Sequence, residues 1–528
     1  MPGTPPPAAA PARTPVPRRV LLRSGAAVAV GVAGAAGCTT GTRQGSGART
    51  TPSAPAHEVV PRTDGSAGSV DPTRTTDPEG LAAATLTASR TLLERATAVV
   101  VTSAAEADIT RGTEVARRLG LPLLVDGDGL DAELDRLGTR TVVRVARAAS
   151  GTPAVPERFG DREVRDGSSD RGLTRLRGLP LRPGAHGATV LVRKGSDMPP
   201  VIEATLAAVG GASPVTVTDT DPRIAGATRV ALREHPGAAV LGVGPGFADG
   251  ERLARRVRTA RHAKELPGGG LLPFPGRMMV ALYGHPGTAA LGMLGEQRPD
   301  EAAERTTALA AQYAALTDTT VVPAFELIAT VASGSKGKDG DYSTPTSVRS
   351  LMPWVQAAER SGAYVVLDLQ PGRTSFLTQA KAYEELLRRP WVGLALDPEW
   401  RLAPTQKHLD QIGSVSVEEV NAVGAWLAGL VREHDLPPKV LTLHQFRSSM
   451  IRGRERLDTS LDEVQWLVHA DGQGGQGAKQ ETWSALRRGL PEGVWLGWKN
   501  FEDEDTPMLT PRQTLDQVHP TPQFVSYQ

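Results

Sequence analysis

Cysteine is nearly absent: the 528 residues contain 1, Cys38. With a single thiol no disulfide can close within the chain, and no Cys-based zinc or iron–sulfur site can form. An excess of one charge is missing too. The 59 Lys and Arg against 58 Asp and Glu leave a formal net charge of +1, which offers no electrostatic case for nucleic acid. Aromatic residues make up 4% of the chain, and its 8 Trp all fall in the last third. No apolar run reaches the ~20 residues that a membrane-crossing helix takes. Neither a Gly-x-Ser-x-Gly elbow nor a His-Glu-x-x-His motif occurs, so serine-nucleophile and helical zinc-hydrolase chemistry lack their usual signatures. What remains, 40% hydrophobic and 22% charged, is the composition of a globular protein. Its length exceeds one ordinary core, so two or three folded units are expected.

The first forty residues carry an export pattern. Arg18-Arg19-Val20-Leu21-Leu22-Arg23 precedes a small-residue apolar run over 24–37, a positive n-region ahead of an h-region too short to span a bilayer. The run ends Ala35-Ala36-Gly37-Cys38, which resembles a lipobox. The resemblance implies a signal peptide over 1–37 and a lipidated Cys38 bearing palmitate or similar acyl chains. Two chains are roughly what stable anchoring takes, so the expected address is extracytoplasmic, on the outer face of the cell membrane. Arg18 and Arg19 with Leu22 and Arg23 also resemble a twin-arginine (Tat) export signal; general secretion stays open beside it. Residues 38–79 hold almost no large apolar side chain and are expected to form a disordered tether.

From residue 80 the periodicity changes. An amphipathic helix is expected over 81–96, followed by Ala98-Val99-Val100-Val101-Thr102 as a buried parallel strand. Helices over 106–119 and 130–137 alternate with strands over 121–125 and 141–145. The beat recurs with strands at 188–192, 215–217 and 238–241. Such alternation means parallel sheet covered on both faces, so residues 80–267 read as Rossmann-like α/β modules. The stretch 98–145, with Ala-Arg-Arg-Leu-Gly-Leu-Pro-Leu-Leu-Val over 116–125 and Leu-Gly-Thr-Arg-Thr-Val-Val over 137–143, is similar to the cell-wall-binding repeat 2 modules of bacterial surface proteins. That resemblance implies attachment to anionic wall polymers; a generic Rossmann-like scaffold is the alternative. Gly242-Val243-Gly244-Pro245-Gly246 lacks the full phosphate-binding spacing and reads as a tight turn.

Residues 268–528 alternate on a longer beat. Strands are expected over 278–283, 321–325, 364–368, 392–397, 440–444, 466–469, 494–498 and 524–527. Helices are expected over 300–316, 347–361, 375–387, 416–434, 447–456, 481–486 and 511–518. About eight strands in roughly 250 residues fit a (β/α)8, TIM-type barrel; an open doubly wound sheet is the alternative.

Barrel chemistry gathers at the C-terminal ends of the strands, and polar residues stand at nearly every such end here. His285 follows the first strand. Glu326 ends the second, Asp368 and Gln370 the third, Asp397, Glu399 and Trp400 the fourth. His444 and Gln445 end the fifth, His469 and Asp471 the sixth, Trp498 and Lys499 the seventh. Side chains two apart on a strand share a face, so Asp397 with Glu399, Asp368 with Gln370 and His469 with Asp471 are expected to converge over the mouth.

Two inward carboxylates are what glycoside hydrolysis requires. Glu399 is the expected acid/base, with Asp397, Glu326, Asp368 or Asp471 as the second carboxylate. Trp400, Trp498 and Phe501 stand where sugar rings could stack, and His285, Gln370, His444, Gln445, His469 and Lys499 would bind substrate. Asp397-Pro398-Glu399 resembles the Asp-x-Glu strand ending of several barrel glycosidases. Two other classes stay open. His285, Glu326, Asp368, His444, His469 and Asp471 have the ligand types of a metal-dependent phosphodiesterase, and a non-catalytic wall-binding barrel would use the same mouth. With no compact metal motif in the sequence, no metal and no cofactor are assigned. The whole order of lipobox, tether, modules and barrel resembles envelope lipoproteins of the cell-wall-binding repeat 2 family. It implies a cell-wall polysaccharide or related envelope polymer as partner, besides the membrane.

Overall fold

A continuous run of small and β-branched residues such as Ala98–Thr102, buried at every position, fits a strand covered on both faces. In the computed structural model, which describes residues 57–146, 159–173 and 187–528, this strand lies inside a four-stranded parallel sheet with Leu123–Val125, Thr141–Val145 and Glu163–Asp166. A second four-stranded parallel sheet joins Ala67–Val70, Val240–Val243, Ala188–Arg193 and Ala212–Val217. Residues of both sheets and of the helices Pro78–Leu92, Glu106–Leu119 and Pro200–Ala208 share one apolar core. The first of these helices starts where Asp77 accepts a hydrogen bond from the Gly80 amide and Pro78 opens the first turn, the usual chemistry of a helix start.

Three local expectations are corrected. The tether does not run to residue 79: Val59–Pro61 pairs antiparallel with Leu93–Ala96, and Ala67–Val70 joins the second sheet. Backbone pairing with strands far along the chain orders a segment that has few apolar side chains of its own. For the same reason the helix expected over 81–96 ends at Leu92. The helix expected over 447–456 is instead two short 3-10 turns around Ile451–Arg452, which pairs with Val415–Ser416. Gly453, at φ 76, breaks any helix there. Residues 1–37 and Cys38 lie outside the described residues. Among the described residues no helix is long and apolar enough to cross a membrane.

The last half of the chain is a closed barrel of eight parallel strands with flanking helices. The strands are β1 Arg277–Gly284, β2 Thr320–Ala332, β3 Tyr364–Leu369, β4 Val392–Leu396, β5 Lys439–Gln445, β6 Val464–Ala470, β7 Trp495–Asn500 and β8 Phe524–Tyr527. Pairing of β1 with both β2 and β8 closes the ring. All eight fall where the sequence placed them, although β2 runs on to Ala332, seven residues past its expected end, so that Glu326 lies within the strand. Strand parity divides their side chains between two cores. Val280, Leu282, Phe325, Leu327, Val365 and Leu367 pack outward in the large core shared with the helices. Met279, Ala281, Val322, Ala324, Tyr364, Val366, Ala395, Val440, Leu467 and Phe524 fill the interior.

The barrel and the α/β modules belong to one compact unit, Ala56–Gln528. Their seam is ionic. Arg252 and Arg256, on the helix Gly250–His262, each grip the Asp462 carboxylate with two hydrogen bonds of 2.7–3.0 Å, and Arg258 reaches Asp435. Asp462 and Asp435 precede β6 and β5, so these contacts sit at the end of the barrel opposite the mouth.

Candidate functional site

The interior apolar layer stops at a definite level on each strand, and the next inward position is polar. Parity runs Met279, Ala281, then Tyr283; Val322, Ala324, then Glu326; Tyr364, Val366, then Asp368; Ala395, then Asp397. It continues with Val440, Thr442, then His444; Leu467, then His469 and Asp471; Gly497, then Lys499; Phe524, then Ser526. A Cβ on Gly497 would stand 2.7 Å from the His469 ring, so a residue without one gives that imidazole its room.

These side chains form one buried network. His444 meets Asp471 Oδ2 through Nδ1 and Glu326 Oε1 through Nε2, each at 3.0 Å. Lys499 Nζ lies 3.1 Å from Asp471 Oδ1 and 3.5 Å above the Tyr283 ring. The Tyr283 hydroxyl donates to Asp368 Oδ2 at 2.9 Å, and Gln370 reaches that hydroxyl at 3.4 Å. His469 pairs through Nε2 with the Ser526 hydroxyl at 3.2 Å, its ring 4.8 Å from that of His444. Glu326, Asp368, His444 and His469 are fully buried. Even so, Glu326 Oε2, Asp368 Oδ1 and His469 Nδ1 have no hydrogen-bond partner.

Burial and neighbouring charges pull the acids apart. Burial raises Asp368 to about 6. Burial, then repulsion from Asp368, holds Asp397 well above its ordinary range. Burial and the facing Asp471 raise Glu399 to about 7. For Glu326 burial is outweighed by His444 and His469, and for Asp471 by Lys499 and His444, so both are held low. Burial lowers His469 to about 4, leaving it neutral at pH 7. His444 goes the other way: Glu326 and Asp471 overcome its burial and hold it cationic.

Glu399 reaches the mouth by a different route from the one expected. β4 ends at Leu396, and Asp397 caps the 3-10 turn Pro398–Trp400, accepting a hydrogen bond from the Glu399 amide at 3.2 Å. Glu399 therefore sits on a turn, half-buried, beside Trp400, whose ring meets that of His408 at 5.3 Å. Three other expectations are corrected. Gln445 points outward, its amide bonded to the Arg447 carbonyl and the Arg454 guanidinium. Trp498 is buried against Trp483 in the helix-side core, its indole N–H donating to Asn500. Phe501, too, is buried, under Lys479. His285 pairs with Thr346 and accepts from the Gly287 amide, without joining the network.

Tyr283 and Ser526 belong to the site although sequence reasoning passed them over. Both lie within the expected strands at the inward parity of Glu326 and Lys499, since Tyr283 is level with Glu326 and Ser526 with Lys499. Searched against family models and curated proteins, the chain matches none.

Proposed function

We propose that this chain is a lipid-anchored protein of the cell envelope whose barrel mouth binds and hydrolyses a cell-wall glycan. The observation that carries the catalytic part is the placement of Glu399. Its carboxyl is half-buried at the mouth, faces the ion-paired Asp471, and is held near pKa 7 by burial and that neighbour, with no hydrogen bond among the causes. A carboxylic acid that keeps its proton near neutral pH is suited to protonate a leaving glycosidic oxygen. Asp471, fixed by Lys499 and His444, supplies the second carboxylate, as nucleophile or as the base that activates water. Asp397 holds the turn that presents Glu399, and Trp400 beside it offers a face to a sugar ring.

The envelope address is supported by the lipobox-like ending at Cys38 and by the wall-repeat-like stretch 98–145. The seam with the modules lies at the opposite end of the barrel, which keeps those contacts clear of the mouth. The test is release of reducing ends from purified wall polysaccharide by the full chain and by Glu399→Gln. The variant is expected to lose ~10²–10⁴-fold in turnover with unchanged thermal unfolding. Equal turnover by both proteins would exclude Glu399 as the acid. Mass measurement of the mature N-terminus tests the anchor: an unmodified Cys38 within an uncleaved chain would remove it.

A further inference from the structure

We infer that Glu326, His444 and His469, with Asp368 as a fourth ligand, form a binding site for a first-row divalent cation such as Zn2+ or Mn2+ on the floor of the mouth. The three side chains come from β2, β5 and β6, and one ligand atom of each lies within 4.8 Å of the others. His444 Nε2 is 3.0 Å from Glu326 Oε1 and 4.0 Å from Asp368 Oδ1, and His469 Nδ1 is 3.9 Å from Glu326 Oε1. Atoms that share a metal at ~2.0–2.2 Å stand up to ~4.2–4.4 Å apart. The set therefore reaches bonding geometry with side-chain shifts of a few tenths of an ångström.

A second observation points to a ligand. Glu326 Oε2, Asp368 Oδ1 and His469 Nδ1 are unpartnered in side chains that are fully buried. Unpaired buried polar atoms are rare because each costs ~1–3 kcal/mol, and these three belong to the same cluster. The far atoms of Asp368 and His469 are tied down, as is His444 Nδ1, while His444 Nε2 would exchange its hydrogen bond to Glu326 Oε1 for the ion. Asp471 holds His444 Nδ1, Ser526 holds His469 Nε2, and Tyr283 holds Asp368 Oδ2. Metal-binding imidazoles show this division, one nitrogen on the ion and the other hydrogen-bonded to a carboxylate or similar partner.

Charge balance agrees. Glu326, Asp368, Asp397 and Asp471 are buried together against two basic side chains, Lys499 and His444. A divalent cation would offset the excess of carboxylates. Two imidazoles with carboxylate oxygens suit zinc, manganese or iron, whereas Ca2+ prefers an all-oxygen cage. Among the described residues no other group has this ligand geometry.

The inference is separate from the glycan proposal, because Glu399 is not a ligand: Glu399→Gln is expected to lose cleavage and keep the ion. The experiment strips the full chain with a chelator, then titrates Zn2+ and Mn2+ by calorimetry and Co2+ by visible absorption. Uptake of about one equivalent is expected, with a raised melting temperature on loading. His469→Ala should weaken binding by at least ~100-fold, and Ser526→Ala, which leaves the ligands in place, by ~10–100-fold. If His469→Ala fails to fold, Ser526→Ala carries the test. No uptake by the wild-type chain, or uptake that these variants leave unchanged, would overturn the site and leave His444 as a cation clamped between two carboxylates.

Discussion

Two buried clusters of charge sit at the two ends of the barrel, and they are built on opposite plans. At the seam with the α/β modules, Asp462 is surrounded by Arg223, Arg252 and Arg256. Its carboxyl is held far below the usual range because, despite burial, the hydrogen bonds from Arg252 and Arg256 favour the charged form. At the mouth the ratio is reversed: carboxylates outnumber cations, and Asp368, Asp397 and Glu399 are all pushed upward. A cluster with every charge paired serves to hold two bodies together. A cluster left short of positive charge, with unpartnered atoms, is poised to take up something from outside, whether proton, cation or substrate.

The contrast can be broken by substitution at either end. Asp462→Ala, which takes the acceptor from the half-buried Arg252 and leaves Arg223 and Arg256 only Asp221, should destabilise the chain by about 1–3 kcal/mol, read by denaturant unfolding at pH 7. The folded pKa of Asp462 lies below its unfolded value near ~3.9. The pair's contribution is therefore full above that value and lost as pH falls through the folded one, so wild type and variant should converge in acid. A small effect at pH 7 would mean the seam is not held by this cluster.

At the mouth the sign reverses. Asp397→Asn keeps the oxygen that accepts from the Glu399 amide and removes a carboxyl whose folded pKa is raised. That raised value costs stability at any pH above the unfolded pKa. The variant should gain about 1 kcal/mol at pH 7, and the gain should vanish below about pH 4, where Asp is protonated in both states. Destabilisation at pH 7 would show that the Asp397 charge is balanced.

The sequence held more of the fold than of the site. All eight barrel strands could be read because each is an apolar run bounded by turn residues. Residues 57–70 could not, since their order comes from pairing with Leu93–Ala96 and Val240–Val243. Within the site, the errors at Gln445 and Trp498 were avoidable in principle. Neighbours on a strand face opposite ways, so an inward His444 excludes an inward Gln445, and an inward Lys499 excludes Trp498. The same parity would have found Tyr283 and Ser526, whose hydroxyls are easily taken for ordinary strand residues. What no pattern could supply was distance: Glu326 and His444 lie 118 residues apart in sequence and 3.0 Å apart in space.

Carboxyl groups outnumber cations at the mouth, and burial beside Asp471 raises Glu399 to about 7. Carbon-13 NMR of the glutamate side-chain carboxyls, with Glu399→Gln to assign the signal, measures this directly. Asp397, Asp471, Lys499 and His444 are the charged groups around the carboxyl. A midpoint of about 7 is expected; a midpoint at the ordinary ~4.3 of an exposed glutamate would mean that burial and Asp471 do not hold the proton on Glu399.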